Sequence, residues 1–235
     1  MILFARSPKG KLLRRLRRLH DRYYEAPSTE IATVAAYLET LAELRDIETP
    51  RRPRGPRIHL GCGEHRIRGW INADLAFTGA QDLLADLGQA LPFRNESAQF
   101  IHSEDLLEHM DLAQGLALLR ECYRVLRPGG VMRLLTPDAA AIVEHIYLRP
   151  EKRHLRWCDR ELGAGSRVEA LNMHFRMNGE HRFIYDFDYL RHVLSEIGFS
   201  VRRVRWNDSA YRELRFLDLR NFGLNLFVEA EKRAT

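Results

Sequence analysis

From residue 57 onward, short apolar runs alternate with stretches in which apolar residues recur every three or four positions. The runs predict strands over 57–60, 70–74, 81–84, 99–103, 130–136, 199–206 and 224–230. The longer period predicts helices over 112–126, 138–148, 186–197 and 209–221. Strands that alternate with helices indicate a largely parallel sheet covered on both faces, an α/β fold of the doubly wound kind. Residues 150–185 show weak periodicity and many polar and aromatic side chains. A stretch of that length in a compact domain is expected to cover a binding site.

Before residue 57 the pattern is purely helical. In KLLRRLRRLHDRYY (11–24), Leu12, Leu16, Leu19 and Tyr23 form one apolar stripe with arginines on the other faces. A second helix is expected from Ser28, a suitable N-cap, to Ile47, with Ile31, Val34, Ala35, Leu38, Leu41 and Leu44 on its buried side. The proline- and arginine-rich stretch that follows reads as a linker. The expected organisation is therefore a basic helical extension (1–50), a Pro/Arg linker (51–57) and an α/β domain (58–235).

Charge sharpens this division. Residues 1–57 hold 13 Lys and Arg against 7 Asp and Glu, whereas the remainder holds 24 against 25. The basic character lies in the extension, so a general nucleic-acid surface on the α/β domain is not implied. The arginine-rich helix could touch an anionic membrane surface, a nucleic acid or an acidic partner, or pack on a second subunit as a homodimer. No apolar run reaches membrane-spanning length, and Met1-Ile2-Leu3-Phe4 turns basic at once, so the expected location is the cytoplasm. The three cysteines, Cys62, Cys122 and Cys158, are far apart and read as reduced thiols. The acidic and histidine residues show no tight ligand spacing, so no metal site is expected.

Candidate chemistry gathers at strand ends. The first strand runs into Leu60-Gly61-Cys62-Gly63, where two glycines let the backbone turn tightly and approach a ligand. A dinucleotide fingerprint would want a third small residue where Arg66 stands, which disfavours nicotinamide or flavin. Asp74, ending the second strand, can accept hydrogen bonds from both hydroxyls of a ribose. Asp86 and Leu87, after the third, can hold the amine and the face of an adenine.

Four stretches, IHLGCGEHRIRGWINADL (58–75), LPFRNESAQFIHSEDLLEHM (91–110), LLRECYRVLRPGGVMRLLTPD (118–138) and HRFIYDFDYLRHVLSEIGF (181–199), together with YRELRFLDLRNFGLNLFVEA (211–230), resemble the class I S-adenosylmethionine-dependent methyltransferases. The resemblance is strongest to predicted bacterial members associated with surface-polysaccharide and sugar metabolism. It implies seven strands, the last antiparallel and inserted beside the fifth. It also implies S-adenosylmethionine as cofactor and S-adenosylhomocysteine as product. By position, Gly61, Cys62 and Gly63 would line the methionine part, Asp74 and Leu75 the ribose, and Asp86 and Leu87 the adenine. Ser103 would meet the methyl group, with Glu104 and Asp105 facing the acceptor. His59 is also a candidate cofactor-binding residue, although the sequence departs from the pattern there, where many members carry an acidic residue near the methionine amine. The sequence departs again in the ten residues between Gly63 and Asp74, which leave room for only a very short first crossover.

A hydroxyl acceptor needs a base, and histidine titrates in the right range. His109, past the fourth strand, and His181 are the candidate catalytic residues. His174 and Tyr185, in or beside the cover segment, are candidates for binding the acceptor. Any of these histidines can equally serve a structural hydrogen bond. The segment after the fourth strand, His102-Ser103-Glu104-Asp105, lacks the Asn/Asp-Pro-Pro-Tyr/Phe of enzymes that methylate adenine or glutamine nitrogen, which favours an oxygen on a sugar, glycan or small molecule. Two other readings stand beside this one. One is an RNA methyltransferase that grips phosphates with its N-terminal arginines; the other is a non-catalytic binding module that keeps the fold.

Overall fold

The computed structural model describes Arg15, Arg18 and residues 55–76, 78–221 and 223–234. Of the expected N-terminal helices only Arg15 and Arg18 fall within these residues, and both are helical. The rest of that extension, with most of the linker, lies outside them.

Seven strands form one sheet in the order β3-β2-β1-β4-β5-β7-β6. They are β1 (Arg57–Leu60), β2 (Ile71–Asp74), β3 (Leu83–Leu84), β4 (Ala98–Glu104), β5 (Leu126–Pro137), β6 (Phe199–Arg203) and β7 (Asn225–Lys232). The first five pair in parallel, and β7 is inserted antiparallel between β5 and β6. This is the expected doubly wound α/β topology. Strand order reverses between β1 and β4, which puts a ligand crevice at the carboxyl ends of those strands.

Two helices seal one face. Helix α1 (Leu112–Val125) starts at Asp111, whose carboxylate accepts from the Gln114 amide at 2.9 Å while the Gln114 side chain accepts from the Asp111 amide at 3.3 Å. It buries Gly115, Leu118, Leu119, Cys122 and Val125, the three-to-four spacing of a core-facing stripe. The later helix α5 (Phe187–Ile197) is capped by Asp186, ends at Gly198 and buries Leu190, Val193 and Leu194. Against them pack alternate residues of the strands: Ile58, Leu60, Ala73, Met132, Leu134, Leu226, Val228 and Ala230.

The other face of the sheet is polar. In register across six strands stand Asn72, His59, His102, Arg133, Glu229 and Arg202. All but Arg202 are buried. Asn72 Oδ1 lies 3.2 Å from His59 Nδ1, and Arg133 donates to Glu229 at 2.8 Å. Arg202 reaches the other Glu229 oxygen at 2.6 Å.

Several expectations change. Residues 138–148 are helical as expected, but only α2 (Ala139–Ile142) is α-helix, and the chain widens to a π-helix over Val143–Leu148. The cover segment is itself helical, as α3 (Lys152–Leu162) and α4 (Arg167–Arg176). Its weak periodicity follows from burial: α3 buries only His154 and Cys158. No helix stands over 209–221. Residues 207–221 belong to a separate compact unit and hold one 3₁₀ turn, Arg212–Leu214. There Asn207 and Asp218 clamp the segment through three hydrogen bonds, and Asn207 and Phe216 have positive φ, which a helix cannot contain. Among the described residues no helix is long and apolar enough to cross a membrane.

Candidate active site

The candidate residues fall on two sides of the crevice, one expected to take the cofactor and the other the acceptor. On the first, the amides of Gly61 and Cys62 both donate to the Ala73 carbonyl, at 2.9 and 3.3 Å, so the chain turns across the end of β2. Gly61 and Gly63 both have left-handed φ, +68° and +49°. A Cβ on Gly61 would press on Leu106 at 3.0 Å, whereas nothing lies within 4 Å of one on Gly63. The space over Gly63 is therefore open.

Asp74 is held by two amides: Gly63 N–H donates to Oδ2 at 2.7 Å and Ala76 N–H to Oδ1 at 2.8 Å. Each oxygen keeps a lone pair, which suits a vicinal diol. Thr78 closes the loop by donating its hydroxyl to the Gly63 carbonyl at 2.5 Å. Ala85 N–H then bonds the Asp74 carbonyl, which carries the chain to Asp86. Gly88 N–H donates to Asp86 Oδ1 at 2.9 Å, and Oδ2 has no partner among the described residues. Leu75 is 64% exposed, whereas Leu87 is turned into the main core. Leu87 can serve only as a floor.

His59 is not on this rim. It belongs to the buried polar row, its ring 5.2 Å from that of His102 and 5.9 Å from that of His65. The short crossover is braced elsewhere, by Asn72 and Asp82. Asn72 Nδ2 donates to the carbonyls of Ile67 and Trp70 and to Asp82. Asp82 also pairs with Arg66. The Asn72 bonds, first among them its backbone amide, hold the Asp82 carboxyl down at about 2.

On the acceptor side, β4 delivers the buried Ser103 and then Glu104 to the same edge. Asp105 has φ +48° and donates its amide to the Leu135 carbonyl, and this turns the chain into the 3₁₀ turn Leu107–His109. The Glu108 carbonyl accepts from the amides of Arg182 and Phe183, which moors the end of the cover segment here. His181 thus meets His109 edge-on, ring centroids 5.0 Å apart. His109 Nδ1 lies 3.2 Å from the Glu180 carbonyl and His181 Nδ1 lies 2.7 Å from the His174 carbonyl. A carbonyl can only accept, so each Nδ1 carries the proton and each Nε2 keeps a lone pair. Burial lowers the His181 pKa, against the raising effect of the His174 carbonyl.

Glu108 had not been singled out. Its carboxyl is buried beside these rings and accepts from Thr136 Oγ1 at 3.0 Å. Burial, reinforced by Asp105, pushes it well above the usual carboxylate range. Its place directly before His109, in Leu-Glu-His-Met, was the available signal. Thr136 offered only its position at a strand end.

Two other candidates do not line this mouth. The His174 ring stacks on Trp157 and its Nε2 lies 3.4 Å from Cys158 Sγ, so only its carbonyl serves the site. Burial drives His174 down to about 4 and the Cys158 thiol up to about 11. Tyr185 is a core residue, 1% exposed, packed on Phe183 and Tyr189. Its hydroxyl lies against Gly115, where a Cβ would collide with it.

Residues 27–204 match the family model described as a methyltransferase domain, and the chain belongs to that family. It is an S-adenosylmethionine-dependent methyltransferase. In fold it is similar to a SAM-dependent methyltransferase from Archaeoglobus fulgidus, 15% identical over 83% of this chain and 94% of that one, with a TM-score of 0.51. A second similar structure is an S-adenosylmethionine-dependent methyltransferase from Mesorhizobium loti, 19% identical over 83% and 99% of the two chains, TM-score 0.49. A third is a SAM-dependent methyltransferase from Thermotoga maritima described as a possible histamine N-methyltransferase, 13% identical over 95% and 99%, TM-score 0.48. No curated protein matches the sequence.

The cofactor side fits this cofactor. The Asp74 carboxylate, able to accept from a vicinal diol, the open space over Gly63 and the second oxygen of Asp86 are the acceptors and clearance that a nucleoside with an extended tail requires.

Proposed function

We propose that this methyltransferase acts on a hydroxyl oxygen of a small polar acceptor, a sugar or glycan. The observation that carries the reading is the His109–His181 pair, whose Nδ1 atoms are tied to backbone carbonyls and whose Nε2 lone pairs stay available beside the carboxyl end of β4. S-adenosylmethionine, when bound, supplies a methyl group already made electrophilic by its sulfonium. The protein's task is to hold the acceptor oxygen in line and remove its proton. One Nε2 takes that proton, and the carbonyl on Nδ1 fixes the ring and stabilises the imidazolium that results. Glu104 and Asp105, at the same strand end, are the acceptors for neighbouring hydroxyls of a polyol. Gly61, Gly63, Asp74 and Asp86 hold the cofactor on the other side of the strand reversal.

The test is transfer of labelled methyl to a panel of sugars, nucleotide sugars and oligosaccharides. His109→Ala or His181→Ala should reduce turnover by about a hundredfold or more, the range of a lost general base, with cofactor affinity within twofold of the native value. Full turnover in both variants would remove the histidines from the mechanism. Transfer to nitrogen acceptors alone would remove the oxygen reading.

A further inference from the structure

Glu108, His109 and His181 each offer a ligand atom, and the three atoms lie within 4.8 Å of one another. We propose that they form a binding site for one divalent first-row transition-metal ion, zinc being the reference case. Two neutral imidazoles and a carboxylate on one side of an ion, with its remaining positions open, form a donor set suited to zinc, iron(II), cobalt or nickel.

Three observations point to an ion rather than to a chance meeting of side chains. First, both imidazoles are already arranged as metal ligands are. Each donates Nδ1–H to a backbone carbonyl, Glu180 for one and His174 for the other, which fixes the tautomer that leaves Nε2 free to coordinate. Second, the carboxylate is oriented by a hydroxyl, Thr136 Oγ1, and its backbone is moored by two amides. Third, Glu108 is 1% exposed, and no lysine or arginine among the described residues pairs with it. A buried acid without a cation is costly, and a divalent ion supplies the missing charge. Ligand atoms around a tetrahedral zinc stand about 3.4 Å apart, so the site must close by somewhat over an ångström. The two half-exposed imidazoles can supply that movement.

With both Nε2 atoms on the ion neither histidine could be the base, so an acceptor hydroxyl at an open position of the ion would be acidified there instead, a variant of the proposed reading that keeps its acceptor class. The ion's binding does not depend on that reading. The ligands escape notice along the chain because His181 reaches the other two only through the mooring at Glu108.

The experiment uses tag-free full-length protein stripped with a chelator. Zinc is titrated by calorimetry, and cobalt(II) is followed by its visible absorption. The native protein should take up one equivalent at micromolar or tighter affinity. Glu108→Gln, His109→Ala and His181→Ala should each weaken uptake at least tenfold while S-adenosylmethionine affinity, the control for folding, is unchanged. His192→Ala, at a surface Glu196 pair, should bind as the native protein does. Absence of uptake by the native protein, equal uptake by the three site variants, or equal loss in His192→Ala would each overturn the proposal. A metal-free native protein would still leave the histidine base to its own alanine test.

Discussion

The two halves of the sheet are held by different means. Strands β4 to β7 run seven, twelve, five and eight residues, and α1 and α5 cover one of their faces. Strands β1 to β3 run only four, four and two residues, and no helix occurs among the described residues of 61–97. In that half, side-chain hydrogen bonds replace helix packing. Asn72 gathers Ile67, Trp70, His59 and Asp82 around itself, and Asp74 pins Gly63. The same stretch of 61–97 carries the candidate cofactor residues Gly61, Gly63, Asp74 and Asp86. A crossover too short for a helix leaves backbone amides at the edge, and these amides orient the Asp74 carboxylate.

The comparison can be broken most sharply in the long-stranded half. Glu229→Ala leaves the fully buried Arg133 guanidinium without its carboxylate and should cost about 3–5 kcal/mol of stability in denaturant titrations. Arg66→Ala removes a half-exposed pair in the short-stranded half and should cost under about 1 kcal/mol. Similar losses would mean that the two pairs are not differently buried.

Acid should next expose the helical pair after β5. His174 has its folded pKa lowered to about 4, below the ordinary 6.5, so its contribution is present above pH 6.5 and is lost as pH falls toward 4. The loss should reach roughly 3 kcal/mol across that interval, and His174→Phe should flatten that part of the stability–pH curve.

Asn72→Ala should cost roughly 2–3 kcal/mol, because it removes several buried hydrogen bonds at once. It should weaken S-adenosylmethionine binding in calorimetry as well. Thr136→Val, in the other half, should leave cofactor affinity unchanged. If Thr136→Val weakened binding as much as Asn72→Ala, the assignment of cofactor binding to the β1–β3 side would fail. A small effect on stability is expected at Gly63→Ala, about 1 kcal/mol for a left-handed alanine. Its cofactor affinity should nonetheless fall about tenfold or more, because the added methyl enters the open space over the glycine.

The chain by itself determined the architecture. Alternating apolar runs and helical periods marked all seven strands, and α1 and α5, because each buries one regular face. Gly61, Gly63, Asp74 and Asp86 could be put forward as candidates because each stands at or soon after a strand end, in order along the chain. The apolar spacing over 209–221 imitated a helix, since Leu214 and Leu217 are buried by a clamped loop with the same three-residue interval. The role of His174 was misplaced for a related reason. It sits four residues after Ala170, and the phase of α4 turns both toward the α3–α4 core.

Only the tertiary structure decided the rest. It set His59 into a row that exists only when six strands are in register. It joined His181 to His109 and Glu108 through two amides on one carbonyl. Local periodicity records which face of an element is buried. It carries no record of which distant element arrives there, because that contact is made by backbone groups that every residue possesses.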